Sequence, residues 1–246
     1  MDTAKIGEED KASSSSVAIA RIIDQTFLKK EASDEKIKKV CQETKEYGFR
    51  GLCLFPEYAK LAKKYLKGSP VKLTVLIDEP TGTSDSLKRM EMVKQAKKAG
   101  SDEADVVMQI DDFKNAKYQE VSEDLKAICS ILPTKVIIGS GYLTDGEIKK
   151  ASQIVKEARA ICVKTATIND PLDRTELKEK AKHVRIMKES APGLLVKAAG
   201  SIRSLADLEM MVKAGADIIG TSSGIEIVNE AQGKEIKITK DGRIIE

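Results

Sequence analysis

The chain has 246 residues, long enough for one large domain with a sizeable core. Charged residues make up 33% of it, yet the net charge is only +3, so the charge is mixed helix surface and nucleic-acid binding is not expected. Cys41, Cys53, Cys129 and Cys162 are widely spaced, with no Cys-x-x-Cys and a single histidine in the chain. That spacing argues against a zinc centre and a disulfide framework, and fits a reducing, cytoplasmic setting. The first residues are polar and acidic, and no stretch approaches the roughly eighteen apolar residues of a membrane span, so neither a secretory signal nor a membrane partner is expected.

Residues 1–12 read as a loose arm, and one of Ser13–Ser16 is expected to cap a helix opening at Val17. Residues 21–26 predict a short strand. From there, strands and helices alternate. A helix over 33–47, capped by Ser33, ends at Gly48. Strand 49–55 leads to Pro56, which opens a helix over 57–67. Strand 71–77, a Gly/Pro/Thr/Ser loop and helix 85–99 follow, then strand 104–110 and helix 117–130. Strand 135–138 runs into Gly139-Ser140-Gly141 and helix 144–158. Ala160 to Lys164 is the next strand, with a helix over 173–189. Leu194 to Lys197 precedes a helix over 204–214, and strand 216–219 ends at Gly220, where a short helix begins. Eight strand–helix units of this length predict parallel strands and right-handed crossovers, hence a single (β/α)8 TIM barrel with an N-terminal helix. No linker divides the chain. Residues 231–246 form a tail that alternates around Asp241-Gly242 and reads as a small hairpin.

In such a barrel the active face is the carboxyl end of the strands. Lys164 and Lys197 both stand at strand ends, where an ammonium has no evident structural use. A lysine with its ordinary pKa of about 10.4 is not nucleophilic at neutral pH, but a second cation nearby and desolvation can bring it toward about 7. A neutral lysine attacks an aldehyde or ketone to give a Schiff base, an electron sink for making or breaking a carbon–carbon bond. Lys164 is then the nucleophile and Lys197 its tuning partner. Asp105, an acid within an apolar strand, is the candidate proton shuttle; the plainer reading is a structural salt bridge inside the barrel. Gly200-Ser201 and Gly220-Thr221-Ser222-Ser223 follow the last two strands, where glycine and a helix N-terminus suit a phosphate, though ordinary capped turns look similar.

These stretches, together with Asp24-Gln25-Thr26, Glu103-Ala104-Asp105-Val106-Val107, Val163-Lys164-Thr165-Ala166-Thr167 and Val196-Lys197-Ala198-Ala199-Gly200, resemble the deoxyribose-phosphate aldolase family, in order over about residues 20–228. The resemblance implies a cofactor-free, metal-free class I aldolase, interconverting 2-deoxy-D-ribose 5-phosphate with acetaldehyde and D-glyceraldehyde 3-phosphate. It implies Lys164 as the Schiff-base lysine, Asp105 for proton transfer and Lys197 as the perturbing lysine, with Asp24, Thr26, Cys53, Lys135 and Thr167 lining the substrate pocket. It also suggests a homodimer or higher homo-oligomer, which apolar helix positions such as Ile37 and Val40 would permit.

The chain departs from the family pattern at Gln25 (a histidine there), Glu79, Gly139-Ser140-Gly141, Ala166, Ser201, and at Ile168 in place of a glycine. It also lacks the C-terminal tyrosine of some bacterial members. These departures keep a different phosphorylated aldehyde open as substrate, and a non-catalytic phosphate-binding barrel is the further alternative. His183, on the helix after the sixth strand, is expected at the surface. Cys53 and Cys162 are expected as small strand residues packed in the core.

Overall fold

The computed structural model describes residues 16–232 together with 237–238 and 244–245. The arm expected at 1–12 lies outside the described residues. Residues 16–20 are helical (α1). The chain then runs β1 (Ile23–Phe27), α2 (Asp34–Glu46), β2 (Gly51–Leu54), α3 (Ala59–Leu66), β3 (Lys72–Ile77), α4 (Ser86–Lys98), β4 (Glu103–Val107) and the short α5 (Ile110–Lys114). It continues α6 (Tyr118–Cys129), β5 (Thr134–Ile137), α7 (Asp145–Glu157), β6 (Cys162–Lys164), α8 (Leu177–Ser190), β7 (Leu195–Ala199), α9 (Leu205–Lys213), β8 (Ile218–Thr221) and α10 (Gly224–Ala231). The eight strands pair in parallel and in sequence order, and β8 closes onto β1 through Ile23–Ile219 and Gln25–Thr221. This is the expected (β/α)8 barrel.

The helices start where side-chain oxygens can satisfy their free N–H groups. Ser33 accepts from the Lys36 N–H, and Thr144 with Glu147 and Ser204 with Asp207 form capping boxes. Alternation along each strand then sorts the side chains. Leu52, Leu54, Leu73, Val75, Ile77, Ala104 and Val106 point outward, against α2, α3 and α4. Val136, Val163, Val196 and Ile219 do the same beneath α7, α8 and α9. Most of the apolar core is therefore the shell between sheet and helices, and the lumen holds polar side chains beside a few apolar ones such as Leu76 and Ile137.

Several expectations change. The fourth strand does not reach Ile110. Ile110 and Phe113 are both buried at a spacing of three, which suits one helical turn, and the chain bends after Val107 to form α5. Ile37 and Val40 are 0% and 5% exposed, packed inward from α2, so they offer nothing to a dimer partner. His183 is buried too. It lies on the inward stripe Lys180, His183, Val184 and Met187 of α8, a three-and-four spacing. In the tail, β9 (Lys237–Ile238) and β10 (Ile244–Ile245) pair antiparallel, as a hairpin requires, while Asp241-Gly242 itself lies outside the described residues.

One buried cation ties the β3 and β4 ends together. Arg89 of α4 is fully buried, paired with Asp78 and with Asp124 at 3.0 Å, and donates to the Val107 carbonyl at 2.7 Å. Removing one partner of such a group strands the others without compensation. Arg89→Met is expected to lower the unfolding free energy by about 3–5 kcal/mol in a urea titration. A loss under about 1 kcal/mol would mean that the two carboxylates find water instead.

Candidate active site

Strand register gathers the charged side chains. Asp105 of β4 pairs with Lys135 of β5, and Lys164 of β6 with Lys197 of β7. Register partners in a parallel ladder point to one face, and here that face is the lumen. Asp24 of β1 is flanked by Gly51 of β2 and Gly220 of β8. A Cβ at Gly51 would stand 2.7 Å from Asp24 Oδ1, and one at Gly220 would stand 2.9 Å from Lys197 Cε. The two glycines leave the room that the acid and the lysine stem occupy.

Asp105 is the hub. Its Oδ2 accepts from Lys164 Nζ at 2.7 Å and from Lys197 Nζ at 2.9 Å, while Oδ1 accepts from Lys135 Nζ at 3.0 Å. The amines of residues 164 and 197 thus share one oxygen and stand side by side. Lys197 also donates to Asp24 Oδ2 at 2.6 Å. Nearer the amino ends of the strands, Arg50 donates to Asp24 at 2.7 Å and to both oxygens of Glu103, at 2.7 and 3.1 Å. Lys135 completes the layer, 2.5 Å from Glu103 and 3.1 Å from the Thr74 hydroxyl. Sequence reasoning did not find Arg50 or Glu103 as members of this cluster. Glu103 had a visible signal, since it lies two residues before Asp105 and shares its face.

Burial works against each of these ions, and their partners outweigh it. The lysines hold the Asp105 carboxyl well below its ordinary range, and Lys197, Lys135 and Arg50 do the same for Asp24. Asp105 and Asp24 in turn hold Lys197 above the lysine range, so it stays a cation beside Lys164. Asp105, Asp24 and Glu103 likewise raise Lys135 against its burial. Burial, reinforced by the Asp105 carboxylate, pushes the Cys53 thiol up to about 11, so it stands as a neutral thiol 4.0 Å from Asp105.

A cavity of about 190 Å³ opens over this layer at the carboxyl ends of β1, β6, β7 and β8. Among the expected site residues, Lys164, Thr26, Thr167, Gly200, Ser201, Gly220, Thr221 and Ser222 border it. Asp24, Cys53, Asp105, Lys135 and Lys197 lie in the closed layer behind, with Lys164 as the link between the two. The Thr167 hydroxyl is buried and unpartnered among the described residues. Ser223 does not border the cavity. Its N–H caps the Thr221 hydroxyl at 2.9 Å, and the Gly224 N–H is taken by Gln25 Oε1 at 3.2 Å. Ile168 and Arg203 also line the cavity. The exposed Arg203 has no ion pair among the described residues.

The loop after β7 is built to present amides. The Ala199 carbonyl accepts from Thr165 Oγ1 at 3.0 Å, that of Gly200 from Lys180 at 2.6 Å and that of Ile202 from Thr221 Oγ1 at 2.6 Å. The N–H groups of Ser201, Ile202 and Ser222 have no hydrogen-bond partner among the described residues. Carbonyls tied back and amides left free are the arrangement that an anion would need.

Among the described residues, one group could hold a metal ion: Asp145, Glu179 and His183. The Lys182 ammonium already bridges the two carboxylates, at 2.8 and 2.9 Å. Burial lowers the His183 pKa, and its Nδ1 has no partner to orient the ring as a ligand. These residues lie on α7 and α8, outside the cavity's lining.

Residues 18–230 match the model of the family described as DeoC/LacD family aldolase. The chain belongs to this family. It is 38% identical to a deoxyribose-phosphate aldolase of Caldanaerobacter subterraneus subsp. tengcongensis, over 89% of this chain and 96% of the relative. It is 40% identical to that of Thermococcus kodakarensis, over 87% and 96%. A solved tetrameric deoxyribose phosphate aldolase from Aeropyrum pernix superposes with a TM-score of 0.77 at 28% identity, covering 92% of this chain and 97% of that one. The aldolase barrel therefore carries its ion cluster beneath a cavity rimmed by free amides.

The cluster sets a pH window for the fold. Asp24 and Asp105 titrate lower in the folded chain than unfolded. Their contribution is complete above about pH 5 and drains away as pH falls through the folded values. Lys135 and Lys197 titrate higher in the folded chain, so theirs is complete below about pH 9 and is lost as pH rises through the folded values. The unfolding free energy from urea titrations is expected to be flat only from about pH 7 to about pH 8. Below it the buried His183, whose pKa the fold lowers, and then the acids withdraw stability; above it the buried thiols that the fold raises, such as Cys53, and then the lysines do so. A steady decline across neutrality would contradict the ionised cluster.

Proposed function

We propose that this aldolase interconverts 2-deoxy-D-ribose 5-phosphate with acetaldehyde and D-glyceraldehyde 3-phosphate through a Schiff base on Lys164. The observation that carries the reading is the charge balance around Asp105. Arg50, Lys135, Lys164 and Lys197 bring four cationic side chains to the three carboxylates of Asp24, Glu103 and Asp105. Lys135 and Lys197 each reach more than one carboxylate, whereas Lys164 reaches only Asp105 among the described residues and, of these four cations, alone borders the cavity. Releasing one proton from the cluster balances it, and the Lys164 amine is the one placed to use the lone pair.

The chemistry then follows. The Lys164 amine adds to the C1 aldehyde, and loss of water from the carbinolamine leaves a protonated imine. A base takes the proton from the C3 hydroxyl, the C2–C3 bond breaks, and its electron pair passes to the imine to form an enamine. D-Glyceraldehyde 3-phosphate leaves; protonation of the enamine at C2 and hydrolysis release acetaldehyde and restore Lys164. Asp105 serves these transfers as a carboxylate that accepts a proton, holds it weakly among three cations and returns it. Lys197 stays protonated throughout and disfavours a second positive charge beside it. The free amides after β7 and β8 receive the phosphate. A cytoplasmic setting suits four free cysteines, three of them buried. Homo-oligomeric assembly is supported by the tetrameric relative and by Leu87, which is 80% exposed.

Borohydride reduction in the presence of acetaldehyde is expected to add one ethyl group to Lys164, and Lys164→Met to abolish the adduct. An unmodified chain, or labelling elsewhere, would return the protein to a binding role. Lys197→Leu is expected to move the pH dependence of adduct formation upward, since the amine loses its cationic neighbour; an unchanged profile removes Lys197 from the mechanism. Among sugar phosphates, 2-deoxyribose 5-phosphate is expected to be cleaved fastest, and a clear preference for another would reject the substrate.

A further inference from the structure

The loop between β6 and α8 is fastened by a buried pair that the reaction above does not use. Lys180 of α8 is fully buried, and its ammonium donates to Asp170 Oδ2 at 2.5 Å and to the Gly200 carbonyl at 2.6 Å. The other Asp170 oxygen accepts from the Leu172 N–H at 3.1 Å, and the Tyr142 hydroxyl donates to the neighbouring Asn169 carbonyl at 2.7 Å. One side of the clasp is thus the β6–α8 loop and the other is the turn after β7.

That turn needs holding. Gly200 has φ +92° and Ser201 φ +62°, and a residue with a side chain enters this left-handed region only when its surroundings fix it there. A Cβ at Gly200 would collide with both Asp170 Oδ2 and Lys180 Nζ, so glycine is what lets the pair approach the turn. The Lys180 charge is spent on Asp170. It lies outside the cavity lining, so it cannot meet a phosphate directly and can act only through the turn.

We propose that Lys180 is a positioning residue for the anion cradle: by drawing the Gly200 carbonyl back against Asp170, it turns the Ser201 and Ile202 amides into the cavity and sets the preference for phosphorylated over unphosphorylated substrate. Without the clasp the peptide after Gly200 can rotate, and a carbonyl dipole replaces a donor at the phosphate. The residues that form and break bonds are untouched. The pair also offers this chain a way to order its β6–α8 loop with an isoleucine, Ile168, at the cavity edge.

The inference rests on the aldolase reading for its substrate arm and not for its binding arm. For Lys180→Met, KM for 2-deoxyribose 5-phosphate is expected to rise about tenfold or more with kcat changed less than about threefold, while KM for unphosphorylated 2-deoxyribose stays within about twofold. Inorganic phosphate, titrated calorimetrically against the full chain, is expected to bind more weakly by a similar factor. Asp170→Asn, which keeps the shape and removes the charge, is expected to give a smaller change in the same direction, and it decides the matter if Lys180→Met fails to fold. Acetaldehyde trapping on Lys164 reports that each variant retains its barrel. Equal losses for both sugars, or an unchanged phosphate affinity, would overturn the role of Lys180. Should the unaltered chain ignore 2-deoxyribose 5-phosphate, the substrate reading falls, and the phosphate titration still decides the clasp.

Discussion

The structure depends on one carboxylate that three lysine amines share behind the cavity. Asp105 is fully buried, and lysines 135, 164 and 197 all reach it within 3.0 Å. An isolated ion in such a place costs several kcal/mol, so none of the four could be there alone. Their mutual dependence forces a wider arrangement. Lys197 must also find Asp24, Lys135 must also find Glu103, and Arg50 must bridge those two acids. The usual lumen of such a barrel is a stack of branched apolar side chains. Here most apolar residues fill the shell under the helices, and an ionic layer, with Leu76, Ile137 and Ile218 beside it in register, occupies part of the axis.

Backbone geometry makes that layer buildable. Eight strands in register set partner residues at one height, and glycine at positions 51 and 220 vacates the two places beside Asp24. Gly220 therefore has a different use from the one its motif suggested. Its missing side chain faces the Lys197 stem, as well as bordering the cavity. The phosphate signal carried by Gly220-Thr221-Ser222-Ser223 divides in a similar way. Ser222 keeps a free amide at the cavity, while the Thr221 hydroxyl and the Ser223 N–H hold the loop itself. Gln25, which departs from the histidine of the family pattern, spans the Ser222 carbonyl and the Gly224 N–H and so braces the loop after β8.

Local patterns made the barrel and its central residues legible. A strand that stops at a lysine, twice, and an acid inside an apolar strand are signals contained within a few residues each. Pairwise chemistry between distant residues was not. Nothing around Arg50 announces that its partners are residues 24 and 103, because that depends on how far neighbouring strands are offset. Polarity hid the inward face of α8 for a related reason. Lys180 and His183 sit at core spacing beside Val184 and Met187, yet a lysine and a histidine read as surface until a buried acid and carbonyl are known to meet the first. Ile37 and Val40 misled in the opposite sense, since apolar residues on a lysine-rich helix can equally face a partner or the sheet. At Ile110 the competing periods were both present, and the buried spacing to Phe113 selected the helix.

On the proposed reading, reaction and recognition are held by different materials, and that separation explains how the surroundings can drift while the centre is kept. The reacting end is made of side chains whose charges fix one another. A change at any member alters the charge seen by Lys164, so substitution there is constrained by electrostatics. The anion end is made of backbone, and a backbone cradle asks only that its carbonyls be tied elsewhere. Thr165, Lys180 and Thr221 each hold one carbonyl of the turn, from three different elements. Many side chains could perform that service provided they reach. Replacement of the second glycine of the turn by Ser201 is then tolerable for a physical reason: its left-handed φ of +62° is imposed from behind, by contacts such as that of Lys180, outside the cavity lining.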